Sequence, residues 1–299
     1  MKNDVAPQVL IPGLTFTEGA RWHEGRIWFS DLYTFHVYSA GEDGSDLRVE
    51  ATIPEQPSGL GWLPDGRLLV VSMLDRKLMR REPDGTLVTH ADLDGTAPGY
   101  LGDVVVDSQG RAYLGNFGFD LYGNESMKPT ALHRVDPDGE IVEVAQDLWF
   151  PNGCVITKEN VLLVNETFGN RVTAFDITPD GDLTNRRIWA EFGPLPTARF
   201  ADEALRQVDV APDGACLDAE GGVWIADIKG DRLLRVLEGG VISDEILPGT
   251  GVFACALGGS DGRTLFVCAT PDFDVEARKS SRDSSIRTVR IAVPAASHA

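Results

Sequence analysis

The chain is poor in helical periodicity, in basic residues, in cysteine and in long apolar runs, and each shortage excludes something. No stretch approaches the roughly 20 apolar residues that a membrane-spanning helix needs. Lys plus Arg number 27 against 46 for Asp plus Glu, a formal net charge of −19. So acidic a surface repels phosphate backbones and anionic headgroups, and neither a nucleic acid nor a membrane is expected as a partner. The four cysteines, Cys154, Cys216, Cys255 and Cys268, form no C-x-x-C pair. That argues against structural zinc and fits a reduced setting. The N-terminal Met1-Lys2-Asn3-Asp4-Val5-Ala6-Pro7 has no apolar core of a secretory signal, so a cytoplasmic location is expected. The five histidines (His23, His36, His90, His133, His298) share no spacing or repeat position, which points to surface or rim roles.

Short β-rich runs punctuated by glycine turns are abundant instead. The clearest unit begins at Ser58-Gly59 and contains the apolar run Leu60–Leu63. Pro64-Asp65-Gly66 then turns into the strand 67–72, and a second strand covers 77–82. Pro83-Asp84-Gly85 turns again into 86–91. Four short strands in about 35 residues, with Asp-Gly at the positions tight hairpins favour, make one repeat. The opening phrase recurs from Gly19, Gly59, Asp103, Gly153, Gly214 and Ala254. Six copies, each able to make four strands, predict an all-β, six-bladed β-propeller spanning 1–299 as a single domain. Residues 8–11 and 286–293 are available to pair in one blade, closing the ring and covering an exposed edge. The longest departure from the repeat, 193–208, is a candidate lid or rim insertion.

In a propeller the first strand of each blade lines the central channel, so the residue before each phrase sits at the channel mouth. Those residues are Glu18, Ser58, Gly102, Asn152, Asp213 and Phe253. Glu18, Asn152 and Asp213 are hard oxygen donors, with no His or Cys beside them. Two carboxylates and one amide carbonyl suit a divalent cation and leave positions for water and substrate. Turn chemistry is the competing reading, since Asn-Gly and Pro-Asp-Gly are common turn sequences. Gly258-Gly259-Ser260-Asp261-Gly262 has the form of a nucleophile elbow but aligns with a hairpin turn and lacks the strand-turn-helix context. Cys154, Cys216 and Cys255 follow channel positions closely and read as small packing residues. Tyr100, Phe119, Trp149, Phe150 and Phe200 flank the mouth segments, where one or two are expected to wall a pocket.

Three segments resemble hallmarks of the gluconolactonase/regucalcin (senescence-marker protein) family. They are Thr17-Glu18-Gly19-Ala20-Arg21-Trp22, Phe150-Pro151-Asn152-Gly153 and the run 212–221 from Pro212-Asp213-Gly214 to Gly221. Gly115-Asn116-Phe117-Gly118-Phe119-Asp120 is similar to a segment of its bacterial members. The resemblance covers nearly the whole chain in family order. It implies a six-bladed propeller in which Glu18, Asn152 and Asp213 bind one divalent cation, with lactone hydrolysis as the usual activity. Where the family commonly carries Asn-Asp, this chain has Gly102-Asp103, and Tyr100 stands where sugar-lactone enzymes place an arginine. Both departures weigh against a polyhydroxylated sugar lactone and permit a less polar or aromatic substrate.

The expected chemistry is opening of a small lactone. The cation polarises the carbonyl, and Asp213 or Asp103 takes the proton of the attacking water. Water activated directly on the cation is the competing route, because a carboxylate bound to a dication is a poor base. Calcium heads the candidate cations, ahead of zinc, magnesium, manganese and iron. Tyr100, Gly102, Phe119 and Trp149 are the expected substrate contacts. Phosphotriester hydrolysis or isomerisation of a lactone-like substrate is the related alternative, and a non-catalytic calcium-binding scaffold is the other.

Overall fold

A computed structural model describes residues 6–296, so His298 lies outside the described residues. The fold is all-β, a six-bladed β-propeller of six four-stranded antiparallel sheets. Strand β1 (Gln8–Leu14) is followed by a blade of β2 (Thr17–His23), β3 (Arg26–Asp31), β4 (His36–Ala40) and β5 (Arg48–Thr52). Next come β6 (Pro57–Trp62), β7 (Leu68–Ser72), β8 (Lys77–Arg81) and β9 (Leu87–Asp92). The third blade is β10 (Leu101–Val106), β11 (Ala112–Asn116), β12 (Thr130–Val135) and β13 (Ile141–Leu148). The fourth is β14 (Pro151–Ile156), β15 (Val161–Glu166), β16 (Arg171–Ile177) and β17 (Leu183–Glu191). Helix α1 (Ala201–Gln207) then leads to β18 (Pro212–Leu217), β19 (Val223–Asp227), β20 (Arg232–Leu237) and β21 (Val241–Ile246). The last segment supplies β22 (Val252–Gly258), β23 (Thr264–Ala269), α2 (Val275–Ser280) and β24 (Ser284–Arg290).

Each sheet follows chain order, except that β1 adds to β24 to complete the β22–β24 sheet. The pairing runs antiparallel from Gln8 opposite Thr288 to Leu14 opposite Ser284. An otherwise open strand edge is thereby covered, as the sequence pattern predicts. The Pro-Asp-Gly tripeptides at 64–66, 83–85 and 179–181 form the hairpin turns, with Gly66, Gly85 and Gly181 at φ of 86°, 87° and 89°. Ser260 lies in the hairpin between β22 and β23, where its N–H donates to Glu42 Oε2 at 2.8 Å.

The chain divides into two compact units, Met1–Pro57 with Asp213–Ala299, and Ser58–Pro212. In the second unit one apolar cluster, including Leu69, Val71, Leu101, Val104 and Leu114, packs β6–β9 on β10–β13. Another, including Tyr113, Leu132, Leu162, Val164 and Phe175, packs β10–β13 on β14–β17. The first unit repeats the arrangement, with Ile27, Phe29, Phe266 and Cys268 in one cluster and Trp224, Leu233, Cys255 and Val267 in the other. Small residues let the first strands approach. A Cβ on Gly59 would lie 2.6 Å from Val104 N, and one on Gly214 would lie 2.7 Å from Ala254 Cα. All four cysteines are free and buried, and the Cys216 and Cys255 sulfurs lie 3.7 Å apart as packing atoms. Residues 193–208 are not a bare loop: α1 buries Ala204, and Gln207 Oε1 accepts from Thr197 N at 2.8 Å.

The histidines depart from the rim expectation. His90 and His133 are buried in their blades, and neither ring nitrogen of His133 makes a hydrogen bond among the described residues. β12 buries Leu132, His133, Arg134 and Val135 in succession, so both faces of the strand are covered and His133 has no solvent side. Burial pushes its imidazole below the ordinary value, against a smaller opposing effect from Glu143. Burial lowers His23 and His90 in the same way. Folding therefore favours the neutral rings, while the unfolded chain takes up protons near pH 6.5. Stability from this source is complete above about pH 6.5 and is lost as the pH falls. The urea midpoint should drop between pH 7.5 and 5.5, and His133→Leu should drop less. Identical pH slopes in both proteins would contradict this.

Candidate active site

The six residues singled out by the repeat all occupy the second position of a blade's first strand. They are Glu18 in β2, Ser58 in β6, Gly102 in β10, Asn152 in β14, Asp213 in β18 and Phe253 in β22. The Asn-Gly and Asp-Gly pairs are therefore strand residues and not turns, whatever their composition suggests. In β2, β10, β14 and β22 the ladder slips next to this position. Slips fall between Glu18 and Arg21, Leu101 and Val104, Pro151 and Cys154, and Val252 and Ala254. A bulge of this kind re-aims a side chain at the end of a ladder. Glycine follows the donor for different reasons in different strands. Gly19 has φ of 59° and makes the bulge possible, whereas Gly214 clears space for Ala254.

Glu18 and Asp213 belong to the first unit. Glu18 is half-buried and its Oε2 accepts from Gly19 N at 3.0 Å, while Asp213 is only 4% exposed. The Glu18 carboxylate also faces Cys268, whose thiol is pushed well up, first by burial and then by that charge. Asn152, Asp103 and Gly102 belong to the second unit, in neighbouring strands β10 and β14. A Cβ on Gly102 would lie 3.4 Å from Asn152 Oδ1 and 3.8 Å from Phe117 Cε1. Asp103 is buried, with Oδ1 held by Val104 N–H at 2.9 Å.

The amide of Asn152 has a defined orientation. Thr167 Oγ1 donates to the Pro212 carbonyl at 2.8 Å, which uses its only proton. The same hydroxyl can then only accept, and it does so from Asn152 Nδ2 at 3.3 Å. With the nitrogen turned to Thr167, the oxygen Oδ1 is turned toward Gly102. Thr167 also ties Asn152 to Pro212, the residue before Asp213 in the chain. Nothing in the local sequence of Thr167 marks it for this, although it directly follows Glu166 at the end of β15.

That strand end carries a signal of its own. β3, β7, β11, β15 and β19 end in Asp31, Ser72, Asn116, Glu166 and Asp227, all buried. Glu166 Oε2 accepts from Trp149 N at 2.8 Å, and Asp31 Oδ1 accepts from Phe16 N at 3.0 Å. Each carboxylate thus holds the loop that feeds the neighbouring first strand of its blade. Asn116 does related work, accepting from Gly118 N and donating to the Ala131 carbonyl at 3.0 Å.

Of the aromatic residues named from the sequence, Tyr100, Phe119 and Phe150 join one set of ring contacts through Phe117 and Phe150. Tyr100 and Trp149 are half-buried, and Phe150 is buried with φ of 57°, a conformation that costs a bulky residue energy. Phe119 is 2% exposed and packs behind Phe150, with ring centres 6.1 Å apart. Phe200 precedes α1 as its N-cap residue. Among the described residues no three His, Cys, Asp or Glu side chains gather into a metal cluster, a grouping that a trio completed by an amide does not form. Nor is any described helix long and apolar enough to cross a membrane.

Residues 16–270 match the family model of the SMP-30/gluconolactonase/LRE-like region. Among curated relatives, zebrafish (Danio rerio) regucalcin is 28% identical over 169 residues, 55% of this chain and 52% of that protein. A 6-deoxy-6-sulfogluconolactonase of Pseudomonas putida is 28% identical over 167 residues, with the same shares. The match thus spans about half the length of each of these two. A calcium-binding regucalcin of Agrobacterium tumefaciens has the same fold, with a TM-score of 0.77 at 20% identity, over 97% of this chain and 95% of that one.

The Thr167 relay gives a direct test. Thr167→Val keeps the shape but strands a buried carbonyl and the Asn152 amide, which should cost about 1–3 kcal/mol in urea unfolding. Unchanged unfolding would show that the relay does not hold Asn152.

Proposed function

Because the chain belongs to the SMP-30/gluconolactonase/LRE-like family, we propose that it hydrolyses a small lactone at a divalent-cation site made by Glu18, Asn152 and Asp213. The observation that carries this reading is the Asn152 amide, whose nitrogen is engaged by Thr167 so that an oxygen is offered to the site. The common register of the three residues supports it, because first strands of a propeller share one central channel. The donor set fits a hard cation: two carboxylates offset a dication's charge and the amide adds a neutral oxygen. Calcium is the cation proposed first, since it accepts irregular sets of oxygen ligands, and the whole chain is proposed to act as one domain.

When bound, the cation supplies Lewis-acid polarisation of the lactone carbonyl. The protein's own residues supply the rest. Asp213, or Asp103 beside it in function, accepts the proton of a water whose oxygen attacks the carbonyl carbon. The ring C–O bond then breaks, and the proton passes to the departing ring oxygen to give a hydroxy acid. Asp103 suits the proton-handling role because Val104 N–H fixes its orientation. Tyr100, Gly102, Phe119 and Trp149 are the proposed substrate contacts, of which Gly102 lies against Asn152 Oδ1.

Asp213→Ala should lower kcat/KM on its lactone by roughly 1,000-fold, on the order of 4 kcal/mol, and abolish cation binding. Asp103→Ala should keep the cation but lose kcat. An Asp213→Ala protein retaining both activity and cation affinity would refute the proposal.

A further inference from the structure

Rings dominate the second unit around Gly102 and Asn152. Tyr122 and Tyr100 have ring centres 5.7 Å apart, and Tyr100 meets Phe117 edge-on at 6.1 Å. Phe117 stacks on Phe150 at 4.2 Å, and Phe150 meets Phe168 at 5.2 Å. These residues come from distant points in the chain but from one end of the strands. Phe117 N donates to the Tyr100 carbonyl at 2.8 Å, and Thr167 N donates to the Phe150 carbonyl at 3.1 Å. The outer members have accessible faces, with Tyr122 45% exposed and Tyr100 and Trp149 half-buried. Glycine at 102 leaves the edge of Phe117 next to the Asn152 oxygen, a gap that any side chain at 102 would fill.

Several polar groups of the same region, apart from Asp103 and the Asn152 oxygen, are turned to the protein. Asn116 uses its amide on Ala131, Gly118 and Thr130, and Thr167 is used by Pro212 and Asn152. Glu166 is taken by Trp149 N and Arg171, while Arg186 is held by the carbonyls of Gln146 and Asp147. A polyhydroxylated lactone laid against this wall would exchange hydrogen bonds to water for ring contacts. A flat aromatic lactone would stack at no such loss.

We infer that the lactone taken by this site carries an aromatic ring and few hydroxyls, and that Gly102 and Tyr100 set that preference. The inference rests on the lactonase reading above. The outer rings, Tyr100 and Tyr122, supply the stacking surface, the buried rings behind them hold it in place, and Gly102 puts the Phe117 edge next to the Asn152 oxygen.

The test compares kcat/KM for dihydrocoumarin, a benzene-fused lactone, with that for glucono-1,5-lactone, and adds calorimetric binding of the matching lactam, dihydroquinolinone. Wild type should favour dihydrocoumarin by at least about tenfold. Gly102→Asn should shift the ratio toward the sugar lactone by about tenfold, and Tyr100→Ala should weaken lactam binding by a similar factor. The Tyr100 variant serves should an asparagine at 102 prevent folding. Preference for the sugar lactone would overturn the inference and leave the lactonase reading standing. Lactam binding weakened by both variants, with no hydrolysis of either lactone, would uphold the aromatic wall and sink the hydrolytic reading. Absence of both hydrolysis and lactam binding would overturn both.

Discussion

Glu166 is fully buried, and its carboxylate accepts hydrogen bonds from the Trp149 backbone N–H and the Arg171 side chain. The loop 149–150 is held from one side by Glu166 and from the other by Thr167 N–H on the Phe150 carbonyl, so Asn152 enters the strand from a fixed point. Asp31 repeats the device with Thr15 and Phe16, just before Glu18. Buried charges of this kind are expensive to strand, and removal of one partner costs several kcal/mol. What they provide is placement of the second residue of a first strand, and the candidate donors Glu18 and Asn152 both stand there.

The clamps also sustain local strain. Gln56 and Phe150 both precede a proline and both have positive φ, 68° and 57°. Proline disfavours helical conformations in the residue before it, and a bulky side chain disfavours the left-handed one. The two strained residues lie two positions before Ser58 and Asn152, so the strain sits where the loops turn into the first strands. Such conformations persist where surrounding bonds over-determine them, and they cluster at functional sites. Around Phe150 the restraint comes from the backbone bond from Thr167 N–H and from stacking on Phe117.

Much of this could be read from the chain. The recurrent phrase located all six second positions, and the hairpin turns and the closing pair of β1 with β24 followed from ordinary turn and edge chemistry. Local composition was misleading where tertiary contacts decide. Asp213-Gly214 has the composition of a turn but is strand, because Gly214 is needed for clearance against Ala254. Thr167 was invisible because its role depends on a carbonyl 45 residues away. The aromatic wall could not be assembled from sequence either, since Tyr100, Phe117, Phe150 and Phe168 meet only through strand pairing. No periodicity in so short a strand identifies a buried imidazole at 133. The amide orientation that favours an oxygen donor at 152 emerges only from the donor count at Thr167.

Glu18, Asn152 and Asp213 are proposed to supply one cation with its protein oxygens. Anomalous diffraction from a crystal of the protein soaked in manganese, collected at the manganese edge, tests it most directly. A single strong peak is expected within bonding distance of Glu18, Asn152 Oδ1 and Asp213. A peak elsewhere, or the three side chains ordered with no peak between them, would contradict it.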